Sequence, residues 1–239
     1  MSNYNFPNEQ SSVPSKDFNS ILSHAFSMYK GVFGYAIIGF LVYSLLNSIL
    51  YSIAGFNVND INIDSGDYDV WNIHGFSLYS SSSGILSILI SPIYIGFIFI
   101  INKFNTNHRF QFTDLFIGFR QNLGQILLFS LISSIILGIS MALCLIPFLF
   151  VAPLFLLGYP ILLFENATAI EAIKKSYEIA KENYSTFFLI GIVSTIISFS
   201  GFLLCCIGII FTAFFLLAAM YSTYVAYCGR PKPLIEKES

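Results

Sequence analysis

The residues with the most chemical potential gather in one stretch: Glu165 and Asn166, then Lys175, Ser176 and Tyr177, then Lys181. A carboxylate, an amide, a hydroxyl, a phenol and two ammonium groups are parts from which proton transfer or anion binding can be built. Two more cations, Lys30 and Arg120, stand just before long apolar runs. A basic side chain placed there snorkels to the membrane interface and meets lipid phosphate. The other candidates are scattered. His24, His74 and His108 lie on different segments, and no HExxH, Walker A, GxSxG or dinucleotide fingerprint occurs. His24 reads as a solvated residue on the polar face of an amphipathic helix. Asp64, Asp67 and Asp69 are spaced loosely like a calcium loop but lack its twelfth-position Glu, and read as a solvated acidic loop. The expectation is no catalytic residue, no metal site and no cofactor.

The elements that must position these groups are apolar. Of 239 residues, 56% are hydrophobic and 10% charged, against roughly 25% charged in a soluble domain. The mean hydropathy is +0.75, and the apolar residues come in long runs, which makes the class an all-α integral membrane protein. The net charge of −2 comes without a Lys/Arg cluster, so nucleic acid is not an expected partner. Residues 1–17 are polar, lack the apolar core of a signal peptide and read as a disordered tail. A single membrane domain is expected over 18–228, with a short charged tail at 229–239.

Within 18–228 the pattern predicts six spans at about 31–55, 84–101, 123–143, 148–164, 184–204 and 207–227. Amphipathic spacing precedes three of them: Phe18 to Tyr29, Phe112 to Phe119, and Ile170 to Ala180. Thr168 and Glu171 fit a capping box, and Glu171 stands i,i+4 to Lys175. Pro153 and Pro160 predict a bent fourth span. Small residues recur every fourth position at Ser44-Ser48-Ser52, Ser130-Ser134-Gly138-Ala142 and Ala218-Ser222-Ala226, rows suited to helix contact. No span holds Asp, Glu, Lys, Arg or His, which argues against a proton-coupled pump and most intramembrane hydrolases. All 11 Lys and Arg residues fall on the side of the termini, and none falls in 56–83, 144–147 or 205–206. The positive-inside rule then puts both termini in the cytoplasm. Cys144, Cys205 and Cys206 fall near the outer face, where a bridge is open to them. They read, with Cys228, as free small apolar residues.

Aligning Lys30, Arg120 and Lys181 brings Phe26, Phe116 and Tyr177 into register four residues earlier, and Gly34, Gly124 and Ser185 four residues later. The expected unit is an interfacial helix feeding a two-span hairpin, repeated three times.

The run from Leu162 to Gly191 resembles the signature of a bacterial multi-pass superfamily that includes the membrane domain of some glycerophosphodiester phosphodiesterases. Glu165, Asn166, Ala172, Lys175, Ser176, Tyr177, Lys181, Asn183 and Tyr184 carry the likeness, with Tyr177 where Trp is frequent, and Phe112 to Arg120 resembles its second cytoplasmic helix. The resemblance implies six spans in a bacterial inner membrane and no phosphodiesterase activity, since the catalytic barrel of those enzymes is a separate soluble domain. The resulting expectation is a non-catalytic accessory or scaffold that engages membrane lipids or a membrane protein partner. A transporter or flippase-like carrier of a lipid or amphiphile is the alternative.

Overall fold

The computed structural model describes residues 12–55, 76–203 and 212–231. These residues form helices α1 (Phe18–Ala54), α2 (Phe76–Asn105), α3 (Ile117–Arg120), α4 (Leu123–Leu143), α5 (Leu145–Val151), α6 (Gly158–Phe164), α7 (Ala169–Glu182), α8 (Tyr184–Leu203) and α9 (Phe215–Cys228). Single 3-10 turns at Phe112–Phe116 and Ala152–Phe155 join them. Among the described residues, five stretches are long and apolar enough to cross a membrane: Phe18–Ala54, Ser77–Asn105, Leu123–Leu143, Ile146–Phe164 and Tyr184–Gly201. For the sixth expected span the described helix is α9, whose 14 residues reach about 21 Å at 1.5 Å per residue. The acidic residues of the 56–75 stretch, His74, Cys205 and Cys206 lie outside the described residues.

Several boundaries differ from the sequence expectation. The separate interfacial helix and first span merge into one 37-residue helix, α1, started by the Asp17 side chain and ended by Gly55 at φ 63°. Nothing between Tyr29 and Gly34 stops it, since glycine inside a helix costs only about 1 kcal/mol. Residues 76–83, expected as loop, are the first turns of α2. Their serines donate to carbonyls three or four residues back, as Ser80 and Ser82 do, and so satisfy themselves without leaving the helix. The fourth span is broken rather than bent. Its proline pair leaves α5, a 3-10 turn and α6 as three short pieces.

Three helices form the centre of the packing, since α2, α6 and α9 touch one another. Around them α1 lies against α2 and α9, α4 against α2 and α5–α6, and α8 against α9 and the second 3-10 turn. The short elements follow the same rule, with residues 112–120 seated on α2 and α7 seated on α6 and the 3-10 turn before it. Close approach requires glycine at two of these seats. A Cβ on Gly96 would collide with the Leu115 carbonyl, and one on Gly118 with the Pro92 carbonyl. The helix α9 is buried on nearly every face from Phe215 to Ala226, as expected of a helix apolar all round.

Candidate functional site

The stretch that opened the sequence reading forms one corner of the bundle, at the α6–α7 junction. The helix α6 ends at Phe164 because Asn166 takes a left-handed conformation, φ 50°, which asparagine adopts more readily than most residues. Thr168 then starts α7 by accepting from the Glu171 amide at 3.3 Å, while the Glu171 carboxylate accepts from the Thr168 amide at 2.8 Å. The Thr168 amide holds the Glu171 carboxyl below its ordinary pKa. That bond also corrects the expected Glu171–Lys175 pair. Glu171 is turned back to the cap, and Lys175 instead reaches Glu165 with 2.7 and 2.6 Å to its two oxygens. Tyr224 from α9 donates to the same carboxylate at 3.2 Å.

Glu165, Asn166, Glu171, Lys174, Lys175 and Glu178 line an open groove of about 630 Å³, with Ile161, Ala167 and Ile179 as its apolar part. Of the expected site residues, Glu165, Asn166 and Lys175 are therefore brought together. Ser176 is not at this surface. It is fully buried, and its hydroxyl donates to the Leu154 carbonyl at 2.6 Å and accepts from the Leu157 amide at 3.2 Å. These backbone groups belong to the break between the 3-10 turn and α6, so Ser176 satisfies a carbonyl and an amide that the interrupted helix leaves unpaired. Tyr184 braces the same segment, donating to the Phe150 carbonyl at 3.0 Å. Tyr177 lines another, apolar depression of about 320 Å³ together with Ile136, Val151, Phe155 and Ile173. The Lys181 ammonium sits over the Tyr177 ring, 5.9 Å from its centroid.

Lys30 and Arg120 are on other elements, α1 and α3, and share their surroundings with Lys181. All three cations are exposed. The aromatic four residues before each is exposed too, Phe26 at 39%, Phe116 at 38% and Tyr177 at 46%. The residue preceding each aromatic is buried (Ala25, Leu115, Ser176), and so is the sixth after each cation (Ala36, Ile126, Phe187). Ile38, Leu128 and Leu189, eight after, are again exposed. What differs is the joint at the aligned positions Val32, Asn122 and Asn183. Valine keeps α1 continuous, whereas Asn122 at φ 52° and Asn183 separate the short helix from the long one.

Two of the small-residue rows lie mostly outside the packing of the described chain. Ser48 and Ser52 are exposed and donate to their own helix. Ser134, Gly138 and Ala142 also face outward, while Ser130, Ser133 and Ser140 turn inward. The row on α9 does pack, with Ala218 and Ser222 fully buried.

The sequence reading missed a second polar cluster. His24 is 8% exposed rather than solvated, because its ring turns toward Ser222 of α9 while Asn19, Ser23 and Ser27 on the same polar face stay exposed. Its Nδ1 lies 2.8 Å from Ser222 Oγ, and its Nε2 lies 3.0 Å from Ser12 Oγ and 3.1 Å from the Ser12 carbonyl. Asn105, Asn102 and Tyr221 continue the network. Residues 12–17, expected as part of a loose tail, run over this cluster. Its members come from remote parts of the chain, so spacing gave no warning. The available signal was the hydroxyl-bearing stretch Tyr221-Ser222-Thr223-Tyr224 inside an apolar run.

No family model, no curated protein and no solved structure matches this chain.

Proposed function

We propose that the protein is a multi-pass accessory protein of the bacterial inner membrane, without catalysis of its own, that holds anionic lipid headgroups at its basic end. In this reading it has six spans in three hairpins, both termini are cytoplasmic, and each hairpin follows an amphipathic helix ending in a cation. One observation carries the reading: Lys30, Arg120 and Lys181 share one pattern of exposed aromatic, exposed cation and buried neighbours. An exposed aromatic one turn from an exposed cation suits the headgroup region, where the ring sits at the interface and the ammonium or guanidinium meets phosphate. The Glu165–Lys175–Tyr224 corner fits the same reading as a brace that fixes α7, since its charges are mutually neutralised. The resemblance to the multi-pass superfamily is in keeping with this layout. A membrane protein partner, the other occupant considered, would find the outward row Ser134, Gly138 and Ala142 open to close helix approach. The carrier alternative draws less support, because Ser48 and Ser52 on α1 and the Ser134, Gly138 and Ala142 part of the α4 row face outward rather than lining a path.

The test is lipid extraction from protein purified in mild detergent, comparing wild type with the triple variant K30Q/R120Q/K181Q. The reading expects anionic lipid to accompany the wild type and to fall severalfold in the variant, with the circular dichroism unchanged. Equal anionic lipid in both would reject it. A stoichiometric protein in place of lipid would move the assignment to the partner.

A further inference from the structure

We infer that His24 and Asn105 form a clamp for an extended peptide main chain, held shut in cis by the protein's own residues 12–16. The Asn105 side chain pairs with Ser12 as one backbone amide pairs with another. Its Oδ1 accepts from the Ser12 amide at 3.2 Å, and its Nδ2 donates to the Ser12 carbonyl at 3.1 Å. The second Nδ2 hydrogen goes to Tyr221 Oη at 3.0 Å, and Tyr221 in turn donates to Asn102 Oδ1 at 2.9 Å. The amide of Asn105 is thereby fixed in one orientation, with acceptor and donor presented to a passing main chain.

His24 completes the clamp. The Ser12 carbonyl can only accept, so Nε2 carries the proton and Nδ1 accepts from the Ser222 hydroxyl. The Ser12 hydroxyl, bridging His24 Nε2 and Asn105 Oδ1 at 2.8 Å, adds a preference for a small hydroxyl residue at this position. Side chains from three elements (α1, α2 and α9) build the site around one residue, and three of its contacts read main-chain atoms, of which proline lacks only the N–H.

The occupant is held in the manner of a ligand. Ser12 and Val13 are exposed, and Pro14 alone among residues 12–17 is buried. Further on, the contacts are peripheral: the Lys16 carbonyl accepts from Tyr227 at 3.3 Å and its ammonium lies 5.5 Å from that ring. The clamp itself is nearly dry, His24 at 8% and Asn105 at 6% exposed. Lifting the strap leaves a complete set of donors and acceptors, with Ser222 and Tyr221 at its floor, for another extended segment. The ligand class is a peptide main chain, and the displacing ligand is an extended segment of a partner with a small hydroxyl residue at the position of Ser12. This inference is independent of the lipid reading.

Hydrogen exchange on the full-length protein in detergent tests it, with a synthetic peptide spanning residues 9–17 as the probe. Excess peptide is expected to accelerate exchange at Ser12–Lys16 and to leave the amides of α1 from Ala25 to Ala36 and of α9 unchanged. A peptide with Ser12→Ala should still compete, since its main chain is intact, and one with Ser12→Pro should not. In the full chain, Asn105→Leu removes both amide contacts and should speed exchange of the strap about tenfold, the effect of one or two lost hydrogen bonds. The proposal is overturned if no peptide competes, if the Ser12→Pro and Ser12→Ala peptides compete equally, or if strap and α9 amides accelerate together.

Discussion

Near the basic end α1 is buried at Ile21, Ala25, Val32 and Ala36, whereas further along the same helix Leu41, Leu45, Ile49 and Ile53 face outward. The contrast runs through the bundle. The second half of α2, from Ile95 to Ile101, is packed, and its first half shows Leu78, Ile85 and Leu89. On α4, Ile126 and Phe129 are inside, and Ile135, Ile139 and Leu143 are outside. One region is closed by protein and contains the polar braces of His24, Asn105 and Ser176. The other is apolar on its outer surface and offers few internal contacts. In water the second surface would far exceed the few hundred Å² of apolar patch that soluble monomers tolerate. In a bilayer, lipid tails would remove that cost, and the distal half would need no partner side chains to bury its leucines and isoleucines. The difference teaches that similar apolar residues serve two separate solvents, and that substitutions should report which one each residue meets.

The largest effect is expected where packing is densest. Phe97→Ala should destabilise the detergent-solubilised protein by about 3–5 kcal/mol through transfer and cavity costs, while Ile139→Ala should change it by less than about 0.5 kcal/mol. Thermal or denaturant unfolding checks the pair, and equal losses would abolish the distinction between halves. A glycine pair sharpens it next. Gly118→Val meets the Pro92 backbone and should cost about 3 kcal/mol as overpacking, whereas Gly138→Val has open space around it and should be nearly silent. Ser176→Ala comes third, at about 1–2 kcal/mol, because it strands the Leu154 carbonyl and the Leu157 amide in the broken span. Its sharper readout is faster exchange at Leu157 than at Ile161.

The smallest effect concerns the helix caps, which lie outside both packed regions. The Ser15 hydroxyl and the Ser20 amide hold the Asp17 carboxyl below its ordinary value, and the Thr168 amide does so for Glu171. Lowered carboxyl pKa values contribute stability that is present above the unfolded-state value and disappears as the pH falls through the folded value. The protection of the first turn of α7, measured against the intrinsic exchange rate at each pH, should therefore fall below about pH 4, and Glu171→Gln should flatten that dependence. Loss of protection centred at neutral pH instead would reject the assignment to the cap.

Local patterns in the sequence marked the helices, the Thr168–Glu171 box and the proline-disturbed fourth span, because each rests on neighbours a few residues apart. The α4 row of small residues was also visible, but its direction was not, since a row of Ser and Gly fits a protein contact or a lipid-facing surface equally well. Glu165 and Lys175 were each legible as residues of interest, but spacing paired Lys175 with Glu171, and Tyr224, 59 residues from Glu165, had no signal. His24 was misplaced for the same reason: an amphipathic pattern gives a polar face, and only α9 and the strap decide that His24 is covered while Ser23 and Ser27 beside it are not. Val32 against Asn122 could have distinguished the continuous joint of α1 from the broken one before α4, as valine does not adopt the left-handed turn that asparagine allows.

Spin-label accessibility in a reconstituted bilayer tests the central division most directly, on a background with the native cysteines replaced. Labels would be placed at Leu45, Ile135 and Ile196 in the distal half and at Lys30, Arg120 and Lys181 at the basic end. The account expects the first three to collide preferentially with oxygen, and the second three to meet a water-soluble nickel reagent at one common depth near the headgroups. Nickel access at the distal positions, or cation positions differing in depth by more than about one helical turn of 5 Å, would contradict it.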